Sequence, residues 1–425
     1  MIISFSKLKN SSLFKDSFWA VFGNGFGNFL LLIAGIFIAR ILGKDLYGEY
    51  GLVKSTMFYV AAFATFGLGY TSTKFISSAT ETAKQDIHNI ISASLGITFI
   101  SSCTLALIII VFAGPLASYL DEPSLKLTFR YLGAIIVLRA LITAENGILA
   151  GFKKFKVIAI NAVISGAVMF VLAVGLTLLW GLSGSLLALT TAQFCNFVLN
   201  SIHVYKVWRS CPASEKKYFR ILLNFSCPVA LQEFSYTMAQ WGGSLLLVKY
   251  SSLGEMGLYS ASAQWNAIIS FIPNLLFNVV LSYLSGSLKN KQAHDQTMNR
   301  MLLTNLVCTL IPFLVVLLSS NLIASFYGPS FVELPSVLNY FIFATIFLAC
   351  STVYLSEFIA QGRTWTLFSI RFVRDALYLI SVFVFLKIYE GNSAAKFYAI
   401  STVLTNAFYL FVLYVVYKFY ARKVN

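Results

Sequence analysis

Charge is scarce in this chain. Only 11% of its 425 residues are Asp, Glu, Lys or Arg, against 58% hydrophobic residues and a mean hydropathy of +0.78. Soluble domains carry about a quarter charged residues, which excludes an ordinary water-soluble globule of this length. Paired cysteines are lacking too. The six that occur (Cys103, Cys195, Cys211, Cys227, Cys308 and Cys350) stand singly, without a CxxC, so neither a disulfide framework nor a zinc site is expected. The three histidines (His88, His203 and His294) show no metal-ligand spacing. No metal and no cofactor are expected. Long polar segments are also missing, since no stretch between apolar runs exceeds about twenty residues. That leaves no place for a soluble catalytic domain, and an enzyme is not expected.

Apolar runs long enough to span a bilayer fill the chain instead. Twelve are predicted: Ser17–Ala39, Tyr50–Tyr70, Ile90–Ala113, Tyr131–Ala150, Val157–Trp180, Leu182–Tyr205, Ile221–Val248, Leu258–Leu281, Met301–Phe326, Val337–Ala360, Leu367–Leu386 and Phe397–Tyr417. The runs are continuous rather than alternating, so they read as helices and not as barrel strands. The first follows a polar start of 16 residues without a small-x-small cleavage site, and reads as a retained helix.

With both termini inside, the inner segments hold 22 of the 31 Lys and Arg residues, the asymmetry of the positive-inside rule. The net charge of +15 is spread one small group per inner loop. A nucleic-acid partner would require one basic face, and none is expected.

The stretch from Arg40 to Tyr50 returns 209 residues later at Lys249–Tyr259, with Gly48 on Gly257 and Tyr50 on Tyr259. A second echo places Glu145 and Glu357 each shortly before a glycine-plus-basic inner turn. The expected fold is therefore an all-α integral membrane protein. Its twelve transmembrane helices form two six-helix lobes, 1–205 and 221–425, joined by a cytoplasmic linker at 206–220 and related by a pseudo-two-fold axis along the membrane normal.

Charges inside lipid cost roughly 2.5–3.5 kcal/mol each on insertion scales, so each one asks for a reason. Glu233, Thr237, Gln240 and Ser244 share one face of the seventh run, five residues beyond the bend expected at Pro228. The 209-residue offset puts Asn24 and Asn28 opposite Glu233 and Thr237. These stripes read either as the walls of a wet cleft or as interhelical hydrogen-bond contacts. Gln264 in the eighth run joins this substrate-path set. Arg139 sits mid-span and is turned about 120° from Glu145, so a direct pair between them is not expected. It reads as a substrate-path cation or as half of a structural ion pair elsewhere. Arg371, Arg374 and Asp375 share one face at the inner end of the eleventh run, with Glu357 as their expected partner, for gating or for substrate contact. Lys54, Arg40 and Lys249 lie at outer ends, where snorkelling to headgroups competes with a ring around the mouth. The cations suit a phosphate or diphosphate passenger, whereas Glu145, Glu233 and Glu357 suit a lipophilic cation or coupling to protons or sodium.

At Ile38–Ser55 and Gly147–Phe155 the chain resembles the polysaccharide flippases of the multidrug/oligosaccharidyl-lipid/polysaccharide exporter superfamily. The resemblance implies alternating access by two lobes, which carry an undecaprenyl-diphosphate-linked oligosaccharide across the bacterial inner membrane for surface polysaccharide synthesis. It also implies a cationic cavity, for which Lys54, Arg139, Arg371 and Arg374 are the candidates, and a polysaccharide polymerase as a possible partner. Glu145, Glu357 and Asp375 are the candidates for coupling or gating. The alternatives are a drug or cation antiporter of the same superfamily and, from a different class, a membrane glycan polymerase or ligase.

Overall fold

The computed structural model describes residues 12–82, 84–212, 218–287, 291–389 and 393–423. Its regular structure is helical throughout, and the described residues contain no strand. The helices in chain order are α1 (Ser12–Ala64), α2 (Leu68–Thr82), α3 (Ile87–Tyr119), α4 (Leu125–Gly151), α5 (Phe155–Ser210), α6 (Phe219–Tyr250), α7 (Leu253–Ile269), α8 (Phe271–Ser287), α9 (Lys291–Leu318), α10 (Ser320–Tyr327), α11 (Leu334–Ala360), α12 (Thr364–Ile388) and α13 (Ala394–Lys423).

Among the described residues, seven helices are long and apolar enough to cross a membrane. Two of them hold more than one predicted run. α1 breaks at Gly43 and α5 at Gly181, each with a positive φ that only glycine adopts readily. Past Gly181 the chain doubles back: a Cβ on Gly184 would collide with the carbonyl of Leu176. Eight residues of unbroken helix would hold those positions about 12 Å apart. Three predicted runs are interrupted. Tyr50–Tyr70 breaks at Phe66 and Gly67, both with positive φ, Leu258–Leu281 breaks at Ser270, and Met301–Phe326 breaks between α9 and α10. The middle of the expected linker, 213–217, lies outside the described residues, as does the side chain of Pro228.

Backbone packing sorts the chain into two compact units, Met1–Ile41 with Val53–Trp241, and Leu42–Leu52 with Gly242–Asn425. In the first unit α4 is the central helix, packed by α2, α3 and α5. Its C-terminal end closes a core of Leu68, Ile76, Ile90, Ile148, Leu149 and Val204. In the second unit α11 takes that place, packed by α7, α8, α9 and α13, over a core that includes Leu284, Val353, Phe358 and Leu413. These two helices bury 61% and 56% of their apolar windows, against 22–33% for the other five crossing helices. Both are 27 residues long, and both ends of α11 lie 209 residues after those of α4.

The same offset governs a contact within the second unit. A Cβ on Gly48 would strike the carbonyl of Leu253, and one on Gly257 would strike the carbonyl of Lys44. Leu253 is Lys44 displaced by 209, so the contact is reciprocal, as across a local two-fold. The two motif copies meet glycine to glycine because no other residue permits that backbone approach.

Candidate functional site

The expected site residues fall into two sets, one in each packing unit. In the first, Arg139 of α4 lies with its guanidinium carbon 4.5 Å from the ring centre of Phe58, a cation–π contact with the second arm of α1. Lys54, on the same arm, is half-buried, and Asn28 is exposed. The side chain of Asn24 lies outside the described residues.

The polar stripe of α6 packs with this unit as far as Trp241. Trp241 donates through Nε1 to Thr56 at 3.0 Å, Ser226 donates to Thr71 at 2.8 Å, and Phe234 sits 4.8 Å from Phe63. Aromatic and hydroxyl complementarity to α1 and α2 holds these residues there. Glu233 and Gln240 are half-buried. Thr237 is buried, and its hydroxyl donates back to the Glu233 carbonyl at 2.7 Å, which commits that hydroxyl to its own helix.

Glu145 is 2% exposed on α4. Its Oε1 accepts from the Ser201 hydroxyl of α5 at 2.5 Å, and its Oε2 is buried with no hydrogen-bond partner. Asn200, next to that serine, donates to Asn146 at 3.0 Å and accepts from Asn161 at 2.8 Å, so a polar seam joins α4 to both arms of α5. As the 120° separation requires, Glu145 and Arg139 take different partners.

In the second unit Gln264 donates through Nε2 to the Tyr47 hydroxyl at 2.5 Å, while its Oε1 is buried with no hydrogen-bond partner. Arg374 donates to Asp375 from Nη2 at 2.5 Å and from Nε at 2.9 Å, and lies 4.8 Å from the Tyr409 ring centre. Arg371 is half-buried on the same helix. The partnership expected between Glu357 and these arginines is corrected. Glu357, 1% exposed, lies 2.9 Å from His294 Nε2 and also accepts from Gln361. On its other side, His294 Nδ1 is 3.0 Å from the Ser287 hydroxyl. Arg374 is held instead by the acid beside it in sequence. His294 has no metal-ligand spacing in the sequence, and only its distance from Glu357 in the fold gives it a role.

The described residues contain no group of three or more His, Cys, Asp or Glu that could hold a metal ion. What the arrangement offers is cations and carboxylates set among apolar helices, with Arg139 on an aromatic ring, Glu145 on a serine, Arg374 on Asp375 and Glu357 on His294 and Gln361.

A family model described as "Polysaccharide biosynthesis protein" matches residues 13–287. The chain is 22% identical over 405 residues to a putative O-antigen transporter of Shigella flexneri, covering 92% of this chain and 96% of that protein. It is 27% identical over 253 residues to the succinoglycan biosynthesis transport protein ExoT of Rhizobium meliloti, covering 59% and 48%. Among solved structures it superposes on an inward-facing multidrug resistance MATE family transporter of the MOP superfamily with a TM-score of 0.79 at 14% identity, covering 92% and 93%. On the lipid II flippase MurJ in an inward closed conformation the TM-score is 0.76 at 16% identity, covering 94% and 87%. The fold is thus that of a multi-pass, all-helical membrane transporter.

Proposed function

The chain belongs to the polysaccharide biosynthesis protein family, and from that premise we propose that it is a flippase for a lipid-linked oligosaccharide. The substrate is an undecaprenyl-diphosphate-linked unit moved from the inner to the outer leaflet of the bacterial inner membrane by alternating access. The layout is twelve spans in two six-helix lobes with both termini cytoplasmic, and the protein is a transporter rather than an enzyme. The observation that carries this reading is the likeness to an O-antigen transporter over nearly the whole of both chains. A drug or cation antiporter shares the fold, but full-length similarity favours the glycan substrate. A polymerase works beside the flippase rather than within it.

Arg139 and Lys54 in the first unit, and Arg371 and Arg374 in the second, are proposed to meet the diphosphate along its path, where guanidinium groups can hold phosphate oxygens in pairs. Asn28, Glu233, Gln240 and Gln264 are proposed for the sugar, whose hydroxyls need both donors and acceptors. Asn24 and Thr237 complete the path set, Thr237 through its backbone position. Glu145, Glu357 and Asp375 are proposed for gating or for coupling to a proton or sodium ion.

The test is complementation of a strain lacking this gene. Arg139→Ala should insert at wild-type level yet abolish surface polysaccharide, with lipid-linked units accumulating on the inner leaflet. Normal surface polysaccharide in that variant would overturn the reading. Flipped but unpolymerised units in the deletion strain would point to the polymerase class.

A further inference from the structure

A cavity of about 410 Å³ lies within the first unit at the Glu145 end of α4, a volume suited to a small organic ligand. Glu145 supplies its charge, Ser201 its nearest hydroxyl, Tyr205 and Trp208 its aromatic wall, and Ile91 and Leu95 its aliphatic wall. Among the described residues lining it, none is basic. His88 is near, but its ring stacks on Trp208 at 4.5 Å.

The carboxyl is only half-used. Ser201 satisfies Oε1, whereas Oε2 is buried with no hydrogen-bond partner. An ionised carboxyl offers about four acceptor positions, and leaving them unfilled away from water is costly. The surroundings decide what fills them. An inorganic cation such as calcium wants six or more oxygen ligands, and this wall offers one carboxyl and three hydroxyls, those of Ser92, Ser201 and Tyr205. One of those, Ser92, already accepts from Trp208 Nε1 at 2.8 Å. A phosphate or carboxylate would be repelled by Glu145. An alkylammonium matches every part of the wall. Its N–H groups reach Oε2, its charge is attracted to the indole and phenol rings, and its methylenes rest on Ile91 and Leu95.

The repeat supplies an internal control. Displacement by 209 carries Glu145 to Tyr354, Ser201 to Leu410 and Tyr205 to Tyr414. All three line a second cavity, of about 520 Å³, within the second unit. The hollow recurs, while the carboxylate and its serine do not.

We propose that the Glu145 cavity is a binding site for a primary ammonium group on an alkyl chain, supplied by an aminophospholipid headgroup or by a free hydrophobic amine. A ligand bound there bridges α4 to α3 and α5, whose residues line the cavity. The site does not depend on which substrate the protein moves.

The test uses the full-length protein in detergent, titrated with n-octylammonium chloride, dioctanoyl phosphatidylethanolamine and dioctanoyl phosphatidylglycerol, with bound ligand counted by native mass spectrometry. The wild type should bind an amine probe and discriminate against phosphatidylglycerol. Glu145→Gln should weaken amine binding by about tenfold or more, as expected for loss of a charge-assisted bond. Leu95→Trp, which fills the hollow without touching the carboxyl, should weaken it comparably and keeps the test valid if Glu145→Gln folds poorly. Tyr354→Phe in the second cavity should leave it unchanged. Binding and mutual competition of both amine probes supports the site for either source. Binding of phosphatidylethanolamine alone supports it with a lipid as the source, and binding of octylammonium alone supports it with a free amine. Absence of both, equal binding of phosphatidylglycerol, or full binding in both cavity variants overturns it.

Discussion

The two cavities at equivalent places in the repeat are framed by equivalent helices and differ at the acid and at the serine beside it. α3, α4 and α5 frame the first, and α9, α11 and α13 frame the second. Where the first has Glu145 beside Ser201, the second has Tyr354 beside Leu410. A repeat thus fixes the scaffold and its hollows, while the chemistry inside each hollow is set residue by residue. Glu357 sharpens the point. It lies 212 residues after Glu145, three positions out of register, and so faces α9 and His294 instead of the second cavity. The two acids look like counterparts in sequence but are not symmetry mates.

The strongest way to break this contrast is to give the second cavity the charge of the first. Tyr354 is 8% exposed and has Leu410, not serine, across from it. Tyr354→Glu should destabilise the protein by roughly 2–4 kcal/mol, because a buried carboxylate there would lack a donor. Adding Leu410→Ser should restore about 1 kcal/mol of that through a new hydrogen bond. Denaturant unfolding of the purified protein in detergent reads both. Equal stability of Tyr354→Glu and the wild type would mean that the second cavity is wetter than its apolar wall indicates.

Glu357 comes next in size. Glu357→Ala leaves His294 Nε2 buried with its partner gone, and should cost roughly 1–3 kcal/mol in the same measurement. Glu357→Gln keeps an acceptor for the ring and should cost less than half as much. Equal losses in the two variants would show that charge, rather than the hydrogen bond, is what the imidazole needs.

The C-terminal ends of α4 and α11 allow a finer comparison, because here the repeat is in register. Lys153 donates its N–H to the Ala150 carbonyl and Lys154 to that of Leu149, both at 2.9 Å. Gly362 and Arg363 repeat these bonds to Ile359 and Phe358, at 2.9 and 2.8 Å. This is a Schellman closure, which places its penultimate residue in the left-handed region. Lys153 has φ 58° there and Gly362 φ 72°. Gly362→Ala should therefore lose about 1 kcal/mol, and Lys153→Gly should gain somewhat less, since glycine also loosens the unfolded chain. A loss in both would show that the lysine side chain contributes more than its backbone strain removes.

Much of this was legible before any coordinates. The break at Gly181 follows from two apolar runs separated by a single glycine, whereas the 209-residue offset aligns Gly48 with Gly257 without telling that they meet. Glu145 and Glu357 stood out as acids in apolar helices. Their partners did not, because helical spacing fixes which face a residue occupies and not which helix lies across from it. Ser201 is 56 residues from Glu145 and His294 is 63 from Glu357. The committed hydroxyl of Thr237 was hidden for another reason: a threonine on a polar stripe can turn inward to its own backbone, and composition does not say which way it turns. The packing of α6 with the first unit as far as Trp241 rests on aromatic contacts that no periodicity encodes.

The smallest expected effect on stability belongs to Glu145→Gln, and it separates the two cavities most cleanly. Glutamine retains an oxygen for the Ser201 hydroxyl and removes only a carboxyl oxygen that has no hydrogen-bond partner within the protein. Its own amide hydrogens replace one unmet polar group with another, so the change in unfolding free energy should stay within about 0.5 kcal/mol. That near-neutrality holds only while the cavity is empty. With n-octylammonium present at roughly 100 times its Kd, the wild type should gain about 2.7 kcal/mol by preferential binding to the folded state, and the glutamine variant should gain far less. Tyr354→Phe should show the full wild-type gain, since its cavity has no carboxylate to offer. A ligand-independent loss above about 2 kcal/mol in Glu145→Gln would mean instead that Oε2 is already matched in the folded protein, and the charged cavity would then differ from its apolar counterpart in structure rather than in ligand.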